Sequence, residues 1–132
     1  MLKPLDFSQI LIASFFAVCF LQSGLDKVFE YKENLLWLSE HFNKSIFKNF
    51  VSVLLVIVTF LELMSGAFCL WGVSLYLING STVFIFKGLS FCALTLVFLF
   101  FGQRIAKDYD GAAVILNYFT LTILGLLSFH LS

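Results

Sequence analysis

The chain has 132 residues, of which 61% are hydrophobic and only 12% are charged. Soluble domains average roughly 45–50% apolar and 25% charged residues, so this composition argues against a water-soluble fold. Eight basic and eight acidic residues give a formal net charge of zero, which removes the case for a nucleic-acid-binding protein.

Four apolar segments divide the chain, and each is near the length of about 20 residues that a helix needs to cross a bilayer. Because lipid cannot hydrogen-bond the backbone, these segments are expected to be helices. The sequence predicts one domain, residues 1–132, with an all-α membrane fold in which four transmembrane helices form a bundle. The predicted helices are Phe7–Phe29, Phe50–Val73, Thr82–Phe101 and Gly111–Leu131.

The first connection is the longest and most polar of the three. Leu35, Leu38, Phe42 and Ile46 recur at steps of three and four residues with polar residues between them, which predicts an amphipathic helix between the first and second membrane helices. Trp37 is an expected interfacial anchor. This helix either lies in the lipid headgroups or offers a docking surface to a partner, and the first interpretation is favoured.

The second connection, Gly72 to Ser81, is uncharged and contains the turn signal Asn79-Gly80. Four crossings place both termini on one side and the first and third connections on the other. The positive-inside rule therefore predicts cytoplasmic first and third connections and periplasmic termini. The basic residues on the connection side are Lys27, Lys32, Lys44, Lys48, Arg104 and Lys107.

Glu62 is the one carboxylate inside the second apolar segment, and an ionisable group at that depth needs a partner or a wet cavity. Counting depth along the helices favours Lys87 as the partner in a structural ion pair. Lys27 lies near the end of its helix at the first connection, about 12 Å or more from the expected depth of Glu62. Lys27 is expected to pair with Asp26 or Glu30 or to extend to the interface.

A protonated Glu62 that hydrogen-bonds Asn117 and Tyr118 of the fourth helix remains an alternative. Glu62 has three functional interpretations: it hydrogen-bonds a quinone, relays protons or binds a cation. Its structural interpretation is a group that fixes the register of neighbouring helices. No catalytic residue and no metal site is predicted, since the cysteines and histidines lack ligand spacing. The cysteines are expected to pack as small hydrophobic residues, and His41 and His130 to be solvated.

Three motifs resemble the DoxX/DoxD-like family of small four-helix bacterial inner-membrane proteins. They are GLDKVF at residues 24–29, LELMSG at residues 61–66 and the stretch AKDYDGAAVILNYFTLTILGLL that begins at residue 106. By position, Gly24, Lys27, Glu62 and Gly66 are the family-type residues. Many members of that family have an arginine early in the first helix, whereas this chain has DFSQILIAS there. The resemblance implies a membrane subunit associated with redox modules, as in thiosulfate:quinone oxidoreductase.

The sequence therefore leads to two main hypotheses. In the first, the chain is an inner-membrane subunit of a larger complex with quinone chemistry, and Glu62 is close to the quinone. In the second, the chain is a structural or assembly subunit with no redox role. A small transporter or proton path ranks third, because the sequence shows no internal repeat. Under each hypothesis we expect other membrane subunits and the lipid bilayer as partners, rather than an enzyme that works alone.

Overall fold

The computed structural model describes residues 3–45 and 48–131, and all regular structure in that part of the chain is helical. Among the described residues, four helices are long and apolar enough to cross a membrane, namely α1, α3, α4 and α5 below. The predicted fold is confirmed, and the protein is a multi-pass membrane protein. The elements are α1 (Pro4–Phe29), α2 (Tyr31–His41), a short 3₁₀ helix (Lys48–Phe50), α3 (Val51–Asn79), α4 (Val83–Ile105) and α5 (Tyr109–Leu131).

Proline and glycine mark two of the helix ends. Pro4 lies in the first turn of α1, where its missing N–H costs no hydrogen bond. Gly80 ends α3 with a φ of 74°, the left-handed conformation that glycine adopts without steric cost. The sequence placed the end of this helix at Val73, six residues too early, because Gly72 was assigned to the connection. Gly72 instead lies inside α3 and packs against α4.

The membrane helices are antiparallel to their neighbours in the chain, with α3 packed between α1 and α4 and with α5 against α4. At one end of the bundle, Tyr76 donates a hydrogen bond to Asp6 (3.1 Å) and Gln9 donates one to Ser128 (2.9 Å). The first and third connections therefore meet at the opposite end. The buried core between the helices consists of Ala13, Phe16, Ala17, Phe20, Cys69, Ile85, Leu89, Cys92 and Leu96.

Small residues let α3 and α4 approach closely. A Cβ atom on Gly72 would lie 2.8 Å from the backbone nitrogen of Ile85. The hydroxyls of Ser65 and Thr95 are 2.7 Å apart, and Ser65 also donates to the carbonyl of Leu61. Small residues and buried hydroxyls are typical of helix contacts in membranes, where apolar burial alone gives no preference for protein over lipid.

Glycines also fix how α1 and α3 are aligned. A Cβ on Gly24 would lie 2.6 Å from a methyl carbon of Leu63, and a Cβ on Gly66 would lie 2.6 Å from the side chain of Leu21. Counting along two antiparallel helices from the Gly24–Leu63 contact places Lys27 within about 3 Å of the level of Glu62.

The predicted amphipathic helix is present as α2, and it contacts α1 and α3 of its own bundle. The Asn34 side chain donates to the carbonyls of Asp26 and Glu30, which adds a second donor to two carbonyls that already accept a backbone N–H at the end of α1. Phe42, which follows α2, is buried, whereas Trp37 is 55% exposed. The predicted apolar position Ile46 lies outside the described residues.

Candidate functional site

Glu62 and Lys27 form an ion pair between α3 and α1. The Lys27 Nζ atom lies 2.8 Å from Glu62 Oε1 and donates a hydrogen bond to the hydroxyl of Ser23 at 2.8 Å. The Glu62 side chain is 5% exposed and that of Lys27 is 17% exposed. The angles of the ion contact are not those of a hydrogen bond, and Glu62 Oε1 accepts none from the described part of the chain. This oxygen therefore keeps a lone pair for another donor.

The predicted ion pair between Glu62 and Lys87 is wrong. Lys87 lies on an exposed face of α4, with its Nζ atom 4.9 Å from the centre of the Phe84 ring. Among the described residues it makes no ion pair. The buried α4 residues nearest to it in sequence are Ile85, Gly88 and Leu89, and the helical period places Lys87 on a different face.

The ends of the neighbouring helices α1 and α3 are not level, which the prediction of Lys87 as the partner assumed. The Gly24–Leu63 contact places Phe29, the last residue of α1, level with about the eighth residue of α3. Because α3 begins roughly 10 Å beyond the end of α1, Lys27 reaches Glu62 sideways and not along the membrane normal. The expected local pairing of Lys27 with Asp26 or Glu30 is wrong for the same reason.

The fourth membrane helix does not supply the hydrogen bonds considered for a protonated Glu62. Asn117 is exposed on α5, and no hydrogen bond joins it or Tyr118 to Glu62 among the described residues. Tyr118 instead lines a cavity that also reaches Glu62.

A cavity of about 350 Å³ lies between Glu62 and α2. Pockets that bind small molecules typically start at about 300 Å³. One end of the cavity is polar, with Ser23, Lys27 and Glu62, and the other end contains His41 and Gln103. Its other walls are mainly apolar and aromatic: Trp37, Leu38, Phe42, Leu54, Val58, Phe98, Leu99, Phe101, Gly102 and Ile115.

A second cavity of about 400 Å³ adjoins the first and reaches the surface between α1 and α5. Ser23, Glu62, Leu99 and Ile115 line both cavities. The exposed residues Gln22, Asp26 and Tyr118 lie in the lining of this second cavity. The ion pair is thus reachable from the side of the bundle, which is the side that lipid covers.

His41 joins α2 to the connection between α4 and α5, and it is not the solvated residue that the sequence predicts. Its Nε2 atom lies 2.9 Å from Gln103 Oε1 and 3.4 Å from Asp108 Oδ2, and its ring stacks on Trp37 at 4.5 Å. Asp108 also accepts the backbone N–H of Gly111, as an N-cap of α5 does. Sequence reasoning missed Gln103 altogether, because the GQR stretch in the last turn of an apolar helix gives no signal of a contact so distant in sequence.

The remaining candidate residues are the three cysteines and His130. Cys69 and Cys92 are fully buried with their Sγ atoms 3.4 Å apart, all three cysteines are free thiols, and His130 is exposed near the end of α5. Within the described residues, no group of three or more His, Cys, Asp or Glu side chains is placed to hold a metal ion.

The structure brings all four motif residues, Gly24, Lys27, Glu62 and Gly66, to one interface between α1 and α3. The two glycines allow the close approach, and the two charged residues meet beside the cavities. In comparisons with known proteins, no family model, no curated protein and no solved structure matches this chain.

Proposed function

We propose that this chain is a subunit of a larger membrane complex and binds the head group of a quinone, a lipid-soluble redox carrier, beside Lys27 and Glu62. The observation that carries the proposal is a buried ion pair that borders two cavities, one of which reaches the side of the bundle. Intramembrane charges are costly, and in membrane proteins they mark functional pathways or sites.

The chemistry of the site suits such a ligand. The Lys27 ammonium has three N–H donors, of which one contacts Ser23, and the ammonium lies 2.8 Å from Glu62 Oε1 without a hydrogen bond to it. The remaining N–H donors are available to a carbonyl oxygen in the cavity. Apolar and aromatic walls with a few placed polar groups are the usual form of a small-molecule site. The chain then contributes a binding site, and its partners contribute the electron-transfer groups.

The proposal is tested with protein purified in a mild detergent and extracted for quinones, which are identified by mass spectrometry. We expect quinone in about equimolar amount in the unaltered protein and its loss in the Lys27→Met variant. Lys87→Met is the matched control, because this lysine is exposed and unpaired in the described part of the chain. Absence of quinone from the unaltered protein, or equal amounts in both variants, contradicts the proposal.

A structural role in complex assembly is the second candidate. It is favoured by the close contacts of Gly24 and Gly66 next to the ion pair, because a charge pair between closely packed helices fixes their register. In this case exchanging the charges, with Lys27→Glu and Glu62→Lys together, restores co-purification of the partners that each single change removes. If the single variants keep all their partners, this role is excluded.

We further propose a bacterial inner membrane with both termini in the periplasm. The first and third connections meet at one end of the bundle, and that end carries six of the eight basic residues of the sequence, as cytoplasmic loops do. A reporter that is active only in the cytoplasm, attached to the C-terminus, gives no signal in this orientation. A strong signal from that reporter shows that the orientation is the opposite one.

A further inference from the structure

We infer that the cavity between Glu62 and α2 recognises its ligand at both ends, through Lys27 at one end and the side-chain amide of Gln103 at the other. The ligand class is a 1,4-quinone, whose ring carries an oxygen at each of two opposite positions. This inference rests on the proposed function and adds a second recognition site, on α4, to the ion pair.

The hydrogen bonds of His41 determine which atoms of Gln103 are available. His41 Nε2 has two neighbouring oxygens, Gln103 Oε1 at 2.9 Å and Asp108 Oδ2 at 3.4 Å. Because both neighbours are acceptors, Nε2 carries the hydrogen and donates it to Gln103. The oxygen of the Gln103 amide is thereby occupied, and its NH₂ group donates to no atom in the described part of the chain.

The two ends of the cavity then have the same hydrogen-bonding character. Lys27 keeps N–H donors beyond its hydrogen bond to Ser23, and Gln103 keeps its amide donors. Two donors that face one cavity are complementary to a ligand with an acceptor oxygen at each end.

Lys27 and Gln103 lie at different levels of the cavity. Ser65 on α3 contacts Thr95 on α4, so in this antiparallel pair Glu62 is level with about the third residue after Thr95. Lys27 lies about two residues nearer than Glu62 to the end of the bundle that carries the first and third connections, level with about the fifth residue after Thr95. Gln103 lies three residues further along α4, so the two donor residues differ in level by about 4.5 Å along the helix axis.

The walls between the ends support a flat ring rather than a flexible chain. Phe98, Phe101 and Trp37 line the cavity, and aromatic side chains pack on flat rings in stacked or edge-on arrangements. Trp37 is itself held by its stack on His41, so the residue that positions Gln103 also positions an aromatic wall.

Trp37 also provides the measurement, because quinones quench the fluorescence of a nearby indole. The chain has two tryptophans, Trp37 and Trp71, so the Trp71→Phe protein reports on the cavity alone. In this background we titrate the purified full-length protein in detergent with decyl-1,4-benzoquinone. We expect saturable quenching, with a dissociation constant about three- to tenfold higher in Gln103→Met, which is the effect of one lost hydrogen bond.

Two further variants separate ligand recognition from a general effect on folding. Gln103→Glu keeps an acceptor for His41 but lacks the amide donors, so it is expected to weaken quinone binding while the thermal stability of the protein is retained. Ser90→Ala is the matched control on α4, because that hydroxyl donates to the carbonyl of Phe86 in its own helix, and it is expected to bind quinone with unchanged affinity.

The outcomes distinguish this inference from the proposed function. If Lys27→Met weakens binding while both Gln103 variants bind as the parent does, recognition at a second end is wrong and the proposed function stands. If the parent shows no saturable quenching, or if none of these variants changes the affinity, both are wrong.

Discussion

Removing the positive charge at position 27 is the most direct test of how the ion pair contributes to stability. Lys27→Met keeps most of the apolar stem and leaves the Glu62 carboxylate, 5% exposed, without its counter-charge. Breaking a buried pair from one side costs about 3–5 kcal/mol. Because the adjoining cavities give water some access to Glu62, we expect the lower end, about 3 kcal/mol.

The reverse change is expected to cost less. Glu62→Gln leaves a lysine that is 17% exposed and lies two residues from the end of α1, so its ammonium can extend toward water. We expect a loss of about 1 kcal/mol for this variant and about 1 kcal/mol for the double variant Lys27→Met with Glu62→Gln, which contains no unpaired charge. The coupling energy between the two positions is then about 3 kcal/mol.

The free energy of unfolding is measured for the four proteins by titration with sodium dodecyl sulfate in mixed micelles, with helix content followed by circular dichroism. Lys87→Met is the control, since it loses only an exposed contact with Phe84, worth about 0.5–1 kcal/mol. Additive losses in the double variant, or a loss below about 1 kcal/mol in Lys27→Met, refute the interpretation of a coupled buried pair.

Three other changes probe the packing. Gly72→Ala places a Cβ against the α4 backbone and is expected to destabilise by about 1–3 kcal/mol, whereas Gly102→Ala, with its nearest neighbour at 3.9 Å, is expected to be neutral or stabilising in the same titration. Asp108→Ala removes the cap on the Gly111 N–H, and a loss of about 1 kcal/mol is expected; no change in unfolding contradicts the cap. A lipid-soluble maleimide is expected to label Cys19, which lines the second cavity between α1 and α5, and not the fully buried Cys69 and Cys92. Mass spectrometry of the labelled peptides measures this, and label on Cys69 or Cys92 but not on Cys19 contradicts it.

The helices were predictable because their signals are local. Long apolar runs, Pro4 and Asn79-Gly80 mark where helices begin and end, and the spacing of apolar residues identified α2. The one large boundary error arose at Gly72, because a glycine that allows helices to touch and a glycine that ends a helix look alike in a sequence.

The partner of Glu62 was not predictable, because it depends on how far one helix is displaced along its neighbour. A displacement of a few residues decides whether Lys27 or Lys87 is at the right level, and the contacts that set it, Gly24 with Leu63 and Gly66 with Leu21, occur between helices. The His41–Gln103 contact joins residues 62 positions apart. Neither relationship leaves a periodic pattern in the sequence.

The surroundings of the ion pair favour a binding role over a purely structural one. A buried charge pair often stabilises a protein no more than apolar residues of the same size would, so a pair kept only for helix register would be expected in a closely packed interface. Close packing is indeed present around Gly24 and Gly66, yet Glu62 itself faces two cavities. Space next to a costly charge lowers stability through lost contacts, and a ligand that fills this space restores them. The cavities, rather than the charges alone, are therefore the feature that a structural role leaves unexplained.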